Sequence, residues 1–269
     1  MFKFINRYNK YMIKNFGNQK LKAVLTATIF LLSAFHYPGI KKINIVFIGD
    51  SITYGGNNPA LEPSGYAVTY LKNKLGIDSI NQANEGVSGK TTVDFLPSET
   101  CNKNVLEAAD GFFADKGALL LFSIMLGTND SAMQGTNGAP VAPDDYRHNL
   151  EIIINQLLNR YPGCKVVINY PLWYSPNTYN GAKYLAEGLA RLQSYSPQIK
   201  LLVKNYAVSN PGRVYNGDEA GFNYFKNNYI PAMKHEEGRQ GIFYLHPNEQ
   251  GAAQLGLLWG KAIYGALKK

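Results

Sequence analysis

Cysteine is scarce in this chain. Two residues of 269, Cys101 and Cys164, exclude both a disulfide scaffold and a zinc site built on paired thiolates. In an oxidising compartment the pair could form one bridge, but two separate buried thiols are the commoner arrangement and the preferred reading. Charge is also sparse, at 17% of residues against 45% hydrophobic and 13% aromatic, which excludes a disordered, collagenous or repeat-built chain. There is no Gly-x-Ser-x-Gly elbow, no His-Glu-x-x-His and no Cys/His cluster, so the hydrolase classes that carry those signatures are not indicated. Acid is missing entirely from residues 1–42.

That last absence explains the formal charge of +8, which taken whole suggests a nucleic-acid partner. Residues 1–42 hold eight basic side chains, and the remaining 227 residues carry 19 basic and 19 acidic groups. The excess is a property of the leader, and no nucleic-acid partner is expected. After six basic residues, an uncharged run of 13 spans residues 23–35, the order of a secretory signal peptide. The run is short of the roughly 20 residues a spanning helix needs. An export signal is the preferred reading, ahead of an uncleaved anchor or a core helix, with periplasmic or extracellular residence as its consequence. Membrane contact is expected only through an uncleaved leader. No cysteine near the end of the run offers a lipid attachment point.

Residues 43–269 carry no linker or low-complexity tract and read as one domain. Apolar runs at 43–48, 77–82, 118–126, 165–169 and 199–203 read as strands. They alternate with helical patterns at 66–75, around 105–113, from Pro143 through Leu158, at 181–194, and from Pro247 through Ile263. Strands that are apolar throughout, joined by crossover helices, imply a parallel sheet covered on both faces. The ligand site of such an α/β architecture lies beyond the carboxyl ends of the strands.

Those ends carry the chemistry. The first strand runs into Gly49-Asp50-Ser51, a serine presented immediately after a buried strand and a tight turn, as a nucleophile must be. The second leads to Asn84-Glu85-Gly86-Val87-Ser88-Gly89 and the third to Gly127-Thr128-Asn129-Asp130. Tyr244-Leu245-His246-Pro247 precedes the last helix. In this order the four blocks resemble the SGNH (GDSL-type) hydrolases over residues 43–269. The resemblance implies a flavodoxin-like three-layer α/β/α fold with a parallel sheet of about five strands. It also implies ester hydrolysis with no metal or organic cofactor, and it maps the four family positions to Ser51, Gly86, Asn129 and His246. Ser51 is then the nucleophile and His246 its base. The N–H groups of Ser51 and Gly86 and the amide of Asn129 would receive the oxyanion. Asp50 and Asp130 read as structural carboxylates bracing the nucleophile and the amide.

The sequence departs from the family where an aspartate normally stands three residues before the histidine, because Phe243 occupies that position. A backbone carbonyl near Phe243 is the preferred partner for the imidazole. Glu236 or Glu237, on a stretch that reads as a solvated loop, are the alternatives. His36, His148 and His235 receive no role. Gly89-Lys90-Thr91 is a near miss to a phosphate-binding loop, lacking its first glycine at position 84. A non-catalytic glycan-binding module on the same fold is the other competing class. For substrate, the Tyr- and Asn-rich loop holding Trp173 and Tyr174 suits sugar rings. Similarity to exported esterases that deacetylate carbohydrates gives an O-acetylesterase acting on a small or polymeric carbohydrate ester as the expectation. A lysophospholipase, or a short-chain acyl esterase or thioesterase, is the alternative.

Overall fold

The computed structural model describes residues 41–76 and 79–269; the leader reading lies outside the described residues. Five strands form one parallel sheet: β1 (Ile43–Gly49), β2 (Ile80–Gly86), β3 (Leu119–Met125), β4 (Lys165–Ile168) and β5 (Val214–Asn216), in the order β2-β1-β3-β4-β5. Every residue of β1 is buried, as befits a central strand with helices on both faces. Its side chains alternate between two layers. Phe47 stacks on Trp259 of the last helix at 5.8 Å, whereas Val46 and Ile48 enter the opposite core with Phe122, Leu150, Ile154 and Ile199. The result is the expected three-layer sandwich.

The helices are α1 (Ser51–Tyr54), α2 (Pro63–Leu75), α3 (Thr100–Phe113), α4 (Pro143–Arg160), α5 (Leu185–Ser209), α6 (Gly221–Asn227), α7 (Tyr229–Ala232) and α8 (Glu249–Leu267). Proline opens α2 and α4, where its missing N–H removes no helical bond. The left-handed Gly76, φ 66°, closes α2. Asn248 caps α8 by accepting from Gly251 at 3.0 Å, so that helix starts two residues later than Pro247.

Two differences from the sequence reading have clear causes. Residues 199–203 are helix, not strand: α5 runs unbroken through Pro197. Its buried Leu192, Tyr195, Ile199, Leu202 and Tyr206 recur at three- and four-residue spacing on one face, and that burial outweighs the local cost of the proline. The fifth strand is instead the three-residue β5, too short to show a period. β2 extends to Gly86, beyond the expected 77–82; it is an edge strand, and its polar Asn81, Gln82 and Asn84 hide it from an apolar search. Cys101 and Cys164 are both free and buried.

The register positions the site. Gly49 at the end of β1 lies opposite Gly86 on one side and Met125 on the other, so three loops leave the sheet at one level. They do so where the connections diverge to either side of β1, the switch point at which open α/β sheets bind ligands. A separate antiparallel hairpin, β6 (Glu236–Gly238) and β7 (Gly241–Phe243), pairs Glu236 with Phe243. The segment read as a solvated loop is this hairpin, turned through Arg239 and Gln240 with Gly241 at φ 82°.

Candidate active site

Ser51 is the first residue of α1. Asp50 caps that turn, its Oδ1 accepting from the Ile52 N–H at 3.0 Å. The Ser51 Oγ lies 2.9 Å from His246 Nε2. On the far side of the ring, Nδ1 lies 2.8 Å from Glu236 Oε1 and 3.0 Å from Oε2. The same carboxylate accepts the His246 backbone N–H at 3.1 Å. A carboxylate accepts only, so Nδ1 carries the proton and Nε2 is left to face the serine. The structure thus replaces the preferred carbonyl near Phe243 with Glu236. Phe243 is buried beside Tyr174, Tyr184 and Leu192, and Glu237 is exposed on the hairpin. Burial works to raise the Glu236 carboxyl, but hydrogen bonds and charge from His246 outweigh it and hold the group below the ordinary glutamate value.

Asn129 is buried, with its orientation fixed from both ends. Nδ2 donates to the Lys90 carbonyl at 3.0 Å, and Oδ1 accepts from the Tyr184 hydroxyl at 2.7 Å. Thr136 Oγ1 donates to the Asn129 carbonyl at 2.7 Å. One hydrogen of the amide has no acceptor among the described residues. Nothing in the sequence points to Tyr184 or Thr136, which reach Asn129 from segments with no motif of their own.

Gly86 needs a correction. Its N–H donates to Asn84 Oδ1 at 3.1 Å and is not available to an oxyanion. A Cβ here would run into the backbone of α1, 2.8 Å from the Thr53 carbonyl carbon and closer still to the Tyr54 nitrogen. Glycine at 86 therefore allows β2 and the turn at Ser51 to touch, and Asn84 joins them further by donating to the Thr53 carbonyl at 2.9 Å. Gly89, at φ 77°, has an N–H with no acceptor among the described residues. It sits between Ser88, which lines the cavity at Ser51, and Lys90, whose carbonyl holds Asn129. The Asn84–Gly89 segment contains two glycines, and spacing alone does not say which amide is free.

Asp50 and Asp130 lie fully buried beneath these groups. Asp130 Oδ1 accepts from the Thr92 N–H at 2.9 Å and from the Thr92 hydroxyl, tying the loop after β3 to that after β2. Burial pushes Asp50 up to about 6 and Asp130 up to about 7, with Asp50 adding to the rise at Asp130. Lys90 and Thr91, the phosphate-loop candidates, are committed to Asp94.

An open cavity of about 170 Å³ surrounds Ser51, lined also by Gly55, Leu61, Ser88, Lys234 and His246. It is smaller than the roughly 300–1,000 Å³ of pockets that enclose drug-sized ligands. Trp173 and Tyr174 do not line it. Tyr174 is fully buried, bonded to Ser131 Oγ at 2.9 Å, and Trp173 packs against Tyr229 at 5.5 Å. Their aromatic surface is taken up by packing, so the substrate role expected of them is withdrawn.

The family model for the GDSL-like lipase/acylhydrolase family matches residues 47–254. Among solved structures, the native aryl esterase of M. smegmatis aligns with 83% of this chain and 99% of its own, at a TM-score of 0.57 and 18% identity. A carbohydrate acetylesterase from Sinorhizobium meliloti gives a TM-score of 0.54 at 18% identity, over 83% of this chain and 99% of its own. A catalytic mutant of an acetylxylan esterase from Geobacillus stearothermophilus gives 0.57 at 19%, over 86% and 97%. At such identities the likeness concerns the fold. No curated protein matches the chain.

Proposed function

The chain belongs to the GDSL-like lipase/acylhydrolase family and is a carboxylic ester hydrolase, and on that premise we propose that it is an exported esterase removing O-acetyl groups from carbohydrate. The observation that carries the chemistry is the continuous relay from Ser51 Oγ through His246 to Glu236. Ser51 attacks the ester carbonyl while His246 Nε2 takes its proton, and His246 then returns the proton to the leaving alcohol. Glu236 holds the ring in the required tautomer and stabilises the imidazolium. Water repeats the sequence on the acyl-enzyme. The oxyanion is received by the Ser51 N–H, the free hydrogen of Asn129 Nδ2 and the Gly89 N–H.

The small cavity favours a short acyl group over a fatty chain. For carbohydrate, support comes from the acetylesterases among the similar folds; the loop aromatics no longer contribute. Export rests on the basic leader and its uncharged run. A fluorophosphonate probe should label Ser51, and acetate should be released from acetylated glycans. Fatty-acid release from lysolipids without acetate release would overturn the carbohydrate assignment. The amino terminus of the mature protein recovered outside the cytoplasm tests export, and its retention inside would sink that part.

A further inference from the structure

The cavity that contains the nucleophile has one permanent charge in its wall. Apart from His246, its lining residues Ser51, Ile52, Leu61, Ser88 and Pro247 are neutral, and Lys234 is the one permanently charged residue among them. Lys234 stands between α7 and β6, and its backbone N–H donates to the His246 carbonyl at 2.8 Å, which fixes it to the catalytic segment. Its side chain is half-buried and has no carboxylate partner among the described residues, unlike Lys42, Lys90 and Lys200. The nearest acid in sequence, Glu236, has both oxygens engaged by His246. A basic residue in the wall of the cavity, with no internal counter-ion among the described residues, is complementary to an anion brought by a ligand.

We propose that Lys234 selects esters that carry an anionic group, a carboxylate or a phosphate, close to the scissile acetyl. On the acetylesterase reading, on which this rests, the substrate is then an acetylated acidic carbohydrate. The anion docks on Lys234 while the ester carbonyl sits at Ser51, so its contribution is to binding and falls on KM.

The test uses the purified enzyme and three aryl acetates: neutral 4-nitrophenyl acetate, 4-acetoxybenzoate and 4-acetoxyphenyl phosphate. Comparing wild type with Lys234→Met, Lys234→Arg and Lys234→Glu cancels the intrinsic reactivities of the esters. The ratio of kcat/KM for an anionic ester to that for the neutral one should fall about tenfold in Lys234→Met, mainly through KM. It should be largely kept in Lys234→Arg and fall further in Lys234→Glu. Lys116→Met, which removes a surface charge that sits over Phe113, should leave the ratio unchanged. A response to the benzoate alone, or to the phosphate alone, assigns the anion. An unchanged ratio for both anionic esters in Lys234→Met overturns the proposal and leaves the acetylesterase reading standing. Failure of wild type to turn over any of the three overturns both.

Discussion

Glu236 and Phe243 stand directly opposite one another in the β6–β7 hairpin, and their side chains therefore leave the same face of it. Phe243 occupies the place, three residues before His246, from which related enzymes supply an aspartate. The carboxylate that meets the imidazole comes from the neighbouring strand, on a side chain one methylene longer. The imidazole thus has a carboxylate partner taken from across the hairpin.

Glu236→Gln should therefore lower kcat by roughly 10³- to 10⁴-fold, because an amide no longer enforces the tautomer. Glu236→Asp keeps the charge but draws it back from Nδ1, and a displacement of about 1 Å should cost on the order of 10²-fold. Glu237→Gln should have little effect. Steady-state kinetics on an aryl acetate check all three, and equal losses at 236 and 237 would contradict the pairing.

Asn129→Ala should reduce kcat by roughly 10²- to 10³-fold with a smaller change in KM. Tyr184→Phe removes the only side-chain donor to Asn129 Oδ1 among the described residues and should give a milder loss in kcat. Fluorophosphonate labelling of Ser51 should slow in the same order.

Gly86→Ala should destabilise the protein by about 1–3 kcal/mol, since the added methyl group overpacks the contact with α1. It should also slow labelling of Ser51. Asn84→Ala, which removes the side chain joining β2 to α1, should move both readouts the same way. Chemical denaturation and labelling kinetics measure the two effects; unchanged stability in Gly86→Ala would remove the steric argument.

Stability should decline between weakly acidic and neutral pH. The Asp50 and Asp130 carboxyls are raised in the folded protein from the ordinary 3.8 to about 6 and about 7, so the folded state binds the additional protons. Their contribution is fully present below the ordinary carboxyl value and is lost as pH rises through the folded values. Asp130→Asn removes the upper step, and its Tm should fall less than that of wild type between about pH 5 and pH 8. Parallel Tm profiles for the two proteins would refute this.

The parts legible in the sequence are those set by local pattern. β1 and β3 are apolar runs buried on both faces, and the rule that ligands gather at the carboxyl ends of parallel strands leads directly to Ser51 and Asn129. His246 is picked out by the resemblance of the four blocks taken together, since a lone histidine before a helix carries little by itself. Glu236 is legible only as an alternative beside Glu237, because its contact with His246 depends on a hairpin whose strands, three residues each, are too short to show a period. The sequence pattern breaks α5 near Pro197 because local propensity there opposes the burial that keeps it helical. Trp173 and Tyr174 suggest a sugar platform by composition, and only packing shows which way such residues face.

The residues gathered beyond Gly49, Gly86 and Met125 fall into two mechanical halves. Ser51 and Asn129 depart from the central strands, whose amides should be among the last to exchange with solvent, whereas Glu236 rides on a short two-stranded ribbon in which only Phe243 is buried. Segments of that kind open locally at a lower free energy than a core sheet. Opening the ribbon would withdraw Glu236 and leave the turn at Ser51 intact, so on the proposed mechanism activity would be set by the least protected element and architecture by the most protected one.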